Sequence, residues 1–382
     1  MKPLQSKLPT VGTTIFTVMS QLAEQHRAVN LSQGFPDFQP PAGLLDLVQR
    51  GVSGRHHQYA PMPGSVALRM AIAEKLAALY GVATEPLAEI TVTSGATESI
   101  FCAIQAVVQR DDEVVVFDPC YDSYEPSITL AGGRTVHVPL ALPDFTIDWQ
   151  RLAETLNART RLVIVNSPHN PSGSLLQEAD FDRLAELLRP FDCYVLSDEV
   201  YEHVVFDGAR HATVLAQPEL RERSFAVFSF GKTYHATGWK LGYCVAPPHL
   251  SAELRRVHQF VTFSSTSSLQ QALAEFMTAH PEHHLQLSTF YQERRDYFAA
   301  RLAATKFRAR RSAGTYFQLA DYTAVSSLPD VEFARWLTRE HGVAVIPVSV
   351  FYREPPDVRL VRFCFAKENA TLDTAAERLS RL

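Results

Sequence analysis

Short apolar runs recur along the first two thirds of the chain: Ile90–Thr93, Glu113–Phe117, Arg161–Asn166, Cys193–Ser197, Phe225–Ser229 and Tyr243–Ala246. Most are near-continuous in hydrophobicity, not alternating. That is the pattern of strands buried on both faces, as in a mostly parallel sheet. Helical spacing lies between several of them, at Thr97–Arg110 and Glu178–Leu188. Over Ser65–Tyr80, Leu68, Ile72, Leu76 and Leu79 repeat at helical spacing, and Gly81 follows as a C-cap signal. Strands alternating with helices predict an open α/β sheet, and such sheets bind ligands beyond the carboxyl ends of their strands.

The pattern changes near residue 280. A long helix is predicted from about Pro281, then strands at Gly314–Ala320, Val343–Pro347 and Arg359–Phe365, with a helix over Val331–Glu340. The expected organisation is a large domain over 41–280 and a smaller α+β domain over 281–382. Residues 1–40, with Pro9, Pro36 and Pro40, read as an irregular arm and loop that joins the smaller domain.

The chain has 382 residues, 46% of them hydrophobic and 20% charged, enough to bury a sizeable core. A net charge of −5 gives no basic surface for nucleic acid, and Arg308 to Arg311 read as a short solvated face. The five cysteines are widely spaced, which argues against a disulfide framework or a zinc ribbon, and a reducing cytoplasm is the expected compartment. No leader pattern precedes Thr14 and no apolar stretch is long enough to span a bilayer. His280, His283 and His284 read as a solvated cluster, and no metal is expected.

Candidate chemistry sits just after the strands. Ser94-Gly95-Ala96-Thr97 leads into a helix, where small residues and free N–H groups suit an anion; read alone, it is a plain turn with Thr97 as N-cap. Asn166-Ser-Pro-His-Asn170-Pro-Ser-Gly forms a rigid turn that would hold Asn170 at the sheet edge. Asp198 and Tyr201 follow the next strand, three residues apart and on one side of a helical turn. Lys232 follows Ser229-Phe-Gly, with Lys240 eight residues on. A lysine after a strand is ordinarily a surface residue. The set together matches an aldehyde cofactor that needs an amine, a carboxylate for its pyridine nitrogen, anion donors for a phosphate and polar donors for its ring oxygen.

These residues resemble the class I aminotransferases, fold type I enzymes that depend on pyridoxal phosphate. The resemblance rests on Ser94-Gly-Ala-Thr97, Asn166-x-Pro-x-Asn170-Pro, Asp198-Glu-Val-Tyr201, Ser229-x-Gly-Lys232-Thr, Gly238-Trp-Lys240-x-Gly242 and Val361-Arg362. It spans essentially the whole chain, from Leu31-Ser-Gln-Gly34 onward. It points to the kynurenine and glutamine transaminase subgroup, and within it to the bacterial methionine aminotransferases through Gln58-Tyr-Ala-Pro-Met62, Tyr121-Asp-Ser-Tyr124 and Gly231-Lys-Thr-Tyr-His235.

The resemblance implies an α/β fold with a mostly parallel seven-stranded sheet in the large domain. It implies that Lys232 carries the cofactor as a Schiff base and shuttles the substrate proton. Asp198 would pair with the ring nitrogen, Tyr201 and Asn170 with the ring oxygen, and Tyr121 would stack on the ring. Gly95, Ala96, Thr97, Ser229 and Lys240 would hold the phosphate. Many relatives have arginine at the Lys240 position, and lysine lacks its bidentate fork. Arg362 would clamp the substrate carboxylate with Asn170 and the Gly34 backbone, and Phe16, Phe35 and Phe263 would line an apolar side-chain pocket. Tyr59 would reach the other site of a homodimer. The implied activity moves an amino group from methionine or an aromatic amino acid to a 2-oxo acid by a ping-pong mechanism. Alternatives are a β-lyase acting on cysteine S-conjugates, with the same lysine, and a non-catalytic regulator that binds the cofactor.

Overall fold

The computed structural model describes residues 3–54 and 56–382. Seven strands form one sheet in the order Ile90–Thr93, Gly242–Val245, Ser224–Ser229, Tyr194–Asp198, Thr160–Asn166, Glu113–Asp118, Arg134–Pro139. Gly242–Val245 runs antiparallel to both neighbours, and the other pairings are parallel. The carboxyl ends of Ile90–Thr93, Ser224–Ser229, Tyr194–Asp198 and Thr160–Asn166 therefore share one edge. The register brings Gly242 opposite both Thr93 and Ser229 there.

Both faces of this sheet are covered, which explains the continuous apolar runs. Val114, Val116, Leu162, Ile164, Leu196, Phe225 and Val227 enter one core, with Ile100 and Ile104 of the helix Ala96–Val107. Their neighbours Val115, Phe117, Val163, Val165, Val195, Ala226 and Phe228 enter the other, with Leu68, Ile72 and Leu76. Successive strand residues point to opposite faces, so each strand feeds two cores. Helix Val66–Tyr80 starts at Ser65, whose side chain accepts from the Leu68 N–H, and stops at Gly81 in the left-handed region. Helix Glu178–Leu188 forms as expected.

A further core holds Phe298 and Leu302 of helix His283–Leu302, Phe333 and Leu337 of helix Asp330–His341, Val361 and Phe363, and Leu372. Met19, Leu22 and Leu31 enter it too, and Val29–Asn30 pairs parallel with Val343–Ala344. Full burial of Phe298 or Phe333 contributes about 1.5–3 kcal/mol each. Strands Phe317–Asp321 and Leu360–Cys364 pair antiparallel beneath it, with Leu319 opposite Arg362.

Several expectations are corrected. The first forty residues are not all irregular: Ile15–Gln25 is a helix, capped by the Thr14 side chain, and its apolar side is covered by the C-terminal core. Arg134–Pro139 is a strand that the hydrophobic runs did not reveal; it lies at the sheet edge and is only partly buried. Val343–Pro347 divides into Val343–Ala344 and Ile346–Pro347, which pair in different sheets. Thr97 is not an N-cap. Gly95 takes that place with φ 83°, a conformation that favours glycine, and the helix opens at Ala96. The histidines are not a solvated cluster. His283 stacks on Tyr234 at 5.1 Å between centroids, His284 lies 5.0 Å from the His203 ring, and only His280 is exposed.

Candidate active site

A cavity of about 330 Å³ opens at the shared strand edge. Its floor comes from the sheet: Gly95, Ala96, Thr97, Asn166, Asp198, Ser229 and Lys240. Its far wall carries Phe16, Gln33, Gly34, Phe317 and Arg362, and Tyr121, Asn170, Tyr201 and Lys232 lie between.

Lys232 lies on the one-turn helix Phe230–Thr233, directly after the strand that ends at Ser229. Gly231 is required beside it, because a Cβ there would lie 2.9 Å from the Thr237 Cα. Burial pushes the Lys232 amine down to about 8. Its Nζ donates to the Tyr316 hydroxyl at 2.8 Å and to the Gly34 carbonyl at 3.1 Å.

Asp198 ends its strand buried. Burial pushes its carboxyl up to about 6, against hydrogen bonds from the Tyr124 hydroxyl to Oδ2 at 2.6 Å and from the Val200 N–H to Oδ1 at 3.4 Å. Asn166 ties this edge together: its Nδ2 donates to the Asp198 carbonyl at 2.8 Å and its Oδ1 accepts from the Asn170 N–H at 2.9 Å. Tyr201 is buried against Tyr316, edge to face at 5.1 Å, and burial raises its hydroxyl. Burial likewise raises Tyr121.

The Gly95 turn has the chemistry to cradle an anion. A Cβ on Gly95 would lie 3.3 Å from the Lys240 Cε and Nζ, and one on Gly242 would lie 2.7 Å from the Ala96 N. The two glycines let the ammonium and the antiparallel strand close on the helix N-terminus. Unpaired N–H groups and the helix dipole there favour a phosphate.

Arg362 is 1% exposed. Its Nη1 donates to Asn170 Oδ1 at 2.8 Å, its Nη2 donates to the Ser32 carbonyl at 2.9 Å, and its Nε is buried without a partner. The guanidinium lies 3.9 Å from the Phe317 ring centroid. No carboxylate among the described residues reaches it within ion-pair distance, and burial lowers it to about 10. A buried cation on a cavity wall with no counter-charge suits a carboxylate.

Three expected residues lie away from this cavity within the chain. Phe35 is 44% exposed, beneath the Lys367 ammonium. Tyr59 is 83% exposed and Phe263 41%, and the two rings meet edge to face at 5.4 Å. Within the single chain the Phe35 and Phe263 side chains lie at the surface, and Phe16 and Phe317 supply the aromatic wall of the cavity. Tyr124, Tyr316, Gln33 and Phe317 were not anticipated. Gln33 reaches the cavity, Tyr316 reaches Lys232 and Tyr124 reaches Asp198 only through the tertiary fold.

The aminotransferase class I and II family model matches residues 26–379. The chain is 54% identical to methionine aminotransferase of Escherichia coli over 99% of this chain and 98% of that protein. It is 33% identical to human kynurenine–oxoglutarate transaminase 1 over 94% of each. A crystal structure from Escherichia coli, described as identifying a methionine aminotransferase function, superposes with a TM-score of 0.97 at 54% identity and covers all of both chains. The fold is therefore that of the fold type I aminotransferases, and the chain belongs to the class I and II aminotransferases.

Proposed function

We propose that this aminotransferase moves the amino group of methionine or an aromatic amino acid to a 2-oxo acid by a ping-pong mechanism, using pyridoxal phosphate at Lys232. One observation carries the reading: three cations, Lys232, Lys240 and Arg362, line one cavity with no carboxylate within ion-pair distance of any of them among the described residues. Lys240 stands at the Gly95 turn, Arg362 is a buried cation without a counter-charge, and Lys232 is an amine of lowered basicity. That donor set fits a phosphorylated aldehyde and an amino acid. When bound, pyridoxal phosphate supplies an electron-withdrawing ring that takes up the charge left on the substrate α-carbon.

The residues then divide the work. Ala96, Thr97, Ser229 and Lys240 hold the phosphate at the Gly95 turn. Asp198 keeps the ring nitrogen protonated, Asn170 and Tyr201 bond the ring oxygen, and Tyr121 packs on the ring. Arg362 clamps the α-carboxylate with help from Asn170 and the Gly34 backbone. The Lys232 amine removes the α-proton and would return it, across the nitrogen, to the carbon supplied by the cofactor's aldehyde. Phe16, Val200 and Phe317 offer apolar surface for a thioether or aromatic side chain. Each cavity cation has a task, so none is left for a second substrate carboxylate.

A homodimer belongs to the same reading. The exposed Tyr59, Phe260, Val261 and Phe263 support it as one apolar patch for a second copy, with Tyr59 of the partner subunit completing the phosphate site. The proposed compartment is the cytoplasm; no helix among the described residues is long and apolar enough to cross a membrane. The proposed large and small domains meet near residue 280, with residues 1–40 joining the smaller one.

Replacing Lys232 with alanine tests the centre of this reading. Activity should fall at least about 10⁴-fold, and the visible absorbance that wild-type protein gains with added pyridoxal phosphate should be lost. Wild-type protein without that absorbance, or an active Lys232→Ala variant, overturns the proposal. For the substrate, methionine should turn over well ahead of aspartate, and a strong aspartate preference would overturn that part.

A further inference from the structure

Tyr316 stands outside every role assigned above, yet its hydroxyl is the nearest hydrogen-bond partner of Lys232. It directly precedes strand Phe317–Asp321, and its own carbonyl accepts from the Phe365 N–H at 3.0 Å. The side chain is fully buried. Tyr201, Phe317 and Tyr291 enclose its ring at centroid distances of 5.1, 5.0 and 5.6 Å. The hydroxyl donates to the Gly34 carbonyl and accepts from Lys232 Nζ. Gly34 is pressed against the same wall, where a Cβ would lie 2.9 Å from Phe317 Cζ.

We propose that Tyr316 is a positioning residue for proton transfer: with the Gly34 carbonyl it forms a cradle that holds the Lys232 amine whenever that amine is free of the cofactor. The proposal rests on Lys232 being the proton-transfer group. A neutral amine has two N–H groups and one lone pair. The two cradle acceptors, the Tyr316 oxygen and the Gly34 carbonyl, engage the two N–H groups. The lone pair is left for the substrate α-proton. Taking that proton makes an ammonium, whose positive charge both acceptors stabilise, and the proton would then leave to the carbon supplied by the cofactor's aldehyde, so the amine ends as it began. Arg362 lies on the adjacent strand of the same small sheet, with Leu319 as its partner in register. One rigid pair of strands therefore sets both the amine and the carboxylate clamp, and the α-carbon must lie between them. Preset geometry of this kind is a large part of catalysis.

Tyr316→Phe removes the oxygen and keeps the ring. We expect kcat for methionine to fall about 10–100-fold with KM within about twofold of wild type, since the interaction forms in the transfer step and not in substrate binding. Deuterium at the methionine α-carbon should slow the variant more than wild type. A readout without turnover uses the cofactor-free chain: acetylation of Lys232 by acetic anhydride against pH, read by mass spectrometry. Wild type should titrate at about 8, and the variant about one to two pH units lower, because its ammonium has lost an acceptor. Tyr291→Phe is the control. Tyr291 lies in the same aromatic layer but its hydroxyl pairs with His235 Nδ1 at 3.0 Å, so its kcat should stay at the wild-type level.

The positioning role is overturned if Tyr316→Phe keeps wild-type kcat, isotope effect and labelling profile, or if Tyr291→Phe shows the same losses. If Lys232→Ala is inactive while Tyr316→Phe is normal, only the cradle fails. If Lys232→Ala is itself active, the reading beneath it fails.

Discussion

Asp198 and Glu202 are buried carboxylates four residues apart on one segment, and each lies near a lysine. Their surroundings differ in one respect. Glu202 is saturated: Lys75 Nζ sits 2.5 Å away, His203 Nε2 3.2 Å away, and the Tyr80 hydroxyl donates at 2.6 Å. Burial alone would raise its carboxyl, but His203 and Lys75 outweigh it and hold Glu202 well below the usual range. Lys75 also donates to the Tyr243 hydroxyl at 2.7 Å, so this cluster is complete without any ligand. Asp198 and Lys232 have hydroxyl, N–H and carbonyl partners but no opposite charge within ion-pair distance, and both face a cavity. Burial without a counter-charge costs free energy, and a fold keeps such groups where a ligand supplies what is missing. The saturated cluster is complete in itself, and the open one is where the proposed chemistry takes place.

This division can be broken at the saturated end first. Lys75→Met strands Glu202 without its lysine, so unfolding in urea should show a loss of about 3–5 kcal/mol. The molecules that remain folded should keep wild-type kcat, and Lys75→Met with Glu202→Gln should recover much of the stability. A folded Lys75→Met variant as inactive as Lys232→Ala would erase the distinction between the clusters. A smaller effect sharpens the open end. Arg362→Lys keeps a cation but loses the fork, so KM for methionine should rise about 10–100-fold, the worth of one or two charged hydrogen bonds. An unchanged KM would separate Arg362 from the substrate carboxylate.

The sequence reveals the open cluster better than its supports, and the reason is geometric. Asp198, Asn170, Lys232 and the Gly95 turn follow apolar runs, and a run buried on both faces marks its own carboxyl end. Tyr124 lies 74 positions from Asp198, and Tyr316 lies 84 positions from the lysine it touches. No local pattern joins such pairs. The helix Ile15–Gln25 escapes because nearby prolines suggest a loop, while the surface that buries Met19 and Leu22 lies more than 250 residues away in the chain. The edge strand Arg134–Pro139 escapes because only a strand covered on both faces reads as a continuous apolar run. His283 and His284 mislead in the other direction: their spacing reads as solvated, and packing against the rings of Tyr234 and His203 decides otherwise.

The smallest effect isolates the Asp198 carboxyl itself. Tyr124 donates to Oδ2 and thereby favours the ionised form, against burial, which has already raised the group to about 6. Lys232 also favours ionisation and Glu199 opposes it. Tyr124→Phe should raise the carboxyl further, by about one unit, or about 1.4 kcal/mol. The sign follows from proton counting. In the unfolded chain the carboxyl ionises near 3.9. Between there and about 6 the folded wild-type chain binds more protons than the unfolded one, so this group makes stability fall as pH rises. Below about pH 6 Asp198 is protonated in both folded proteins, and the stability gap between them stays constant. Above about 6 wild type ionises and its loss from this group stops, while the variant, still protonated, continues to lose stability up to its own higher value. Urea unfolding of the cofactor-free proteins from pH 5 to 8 should therefore show a gap that widens above about pH 6 and then levels. A gap that stays flat across that range would mean that the Tyr124 hydroxyl does not bear on the Asp198 charge, and the open cluster would lose its one tuned hydrogen bond.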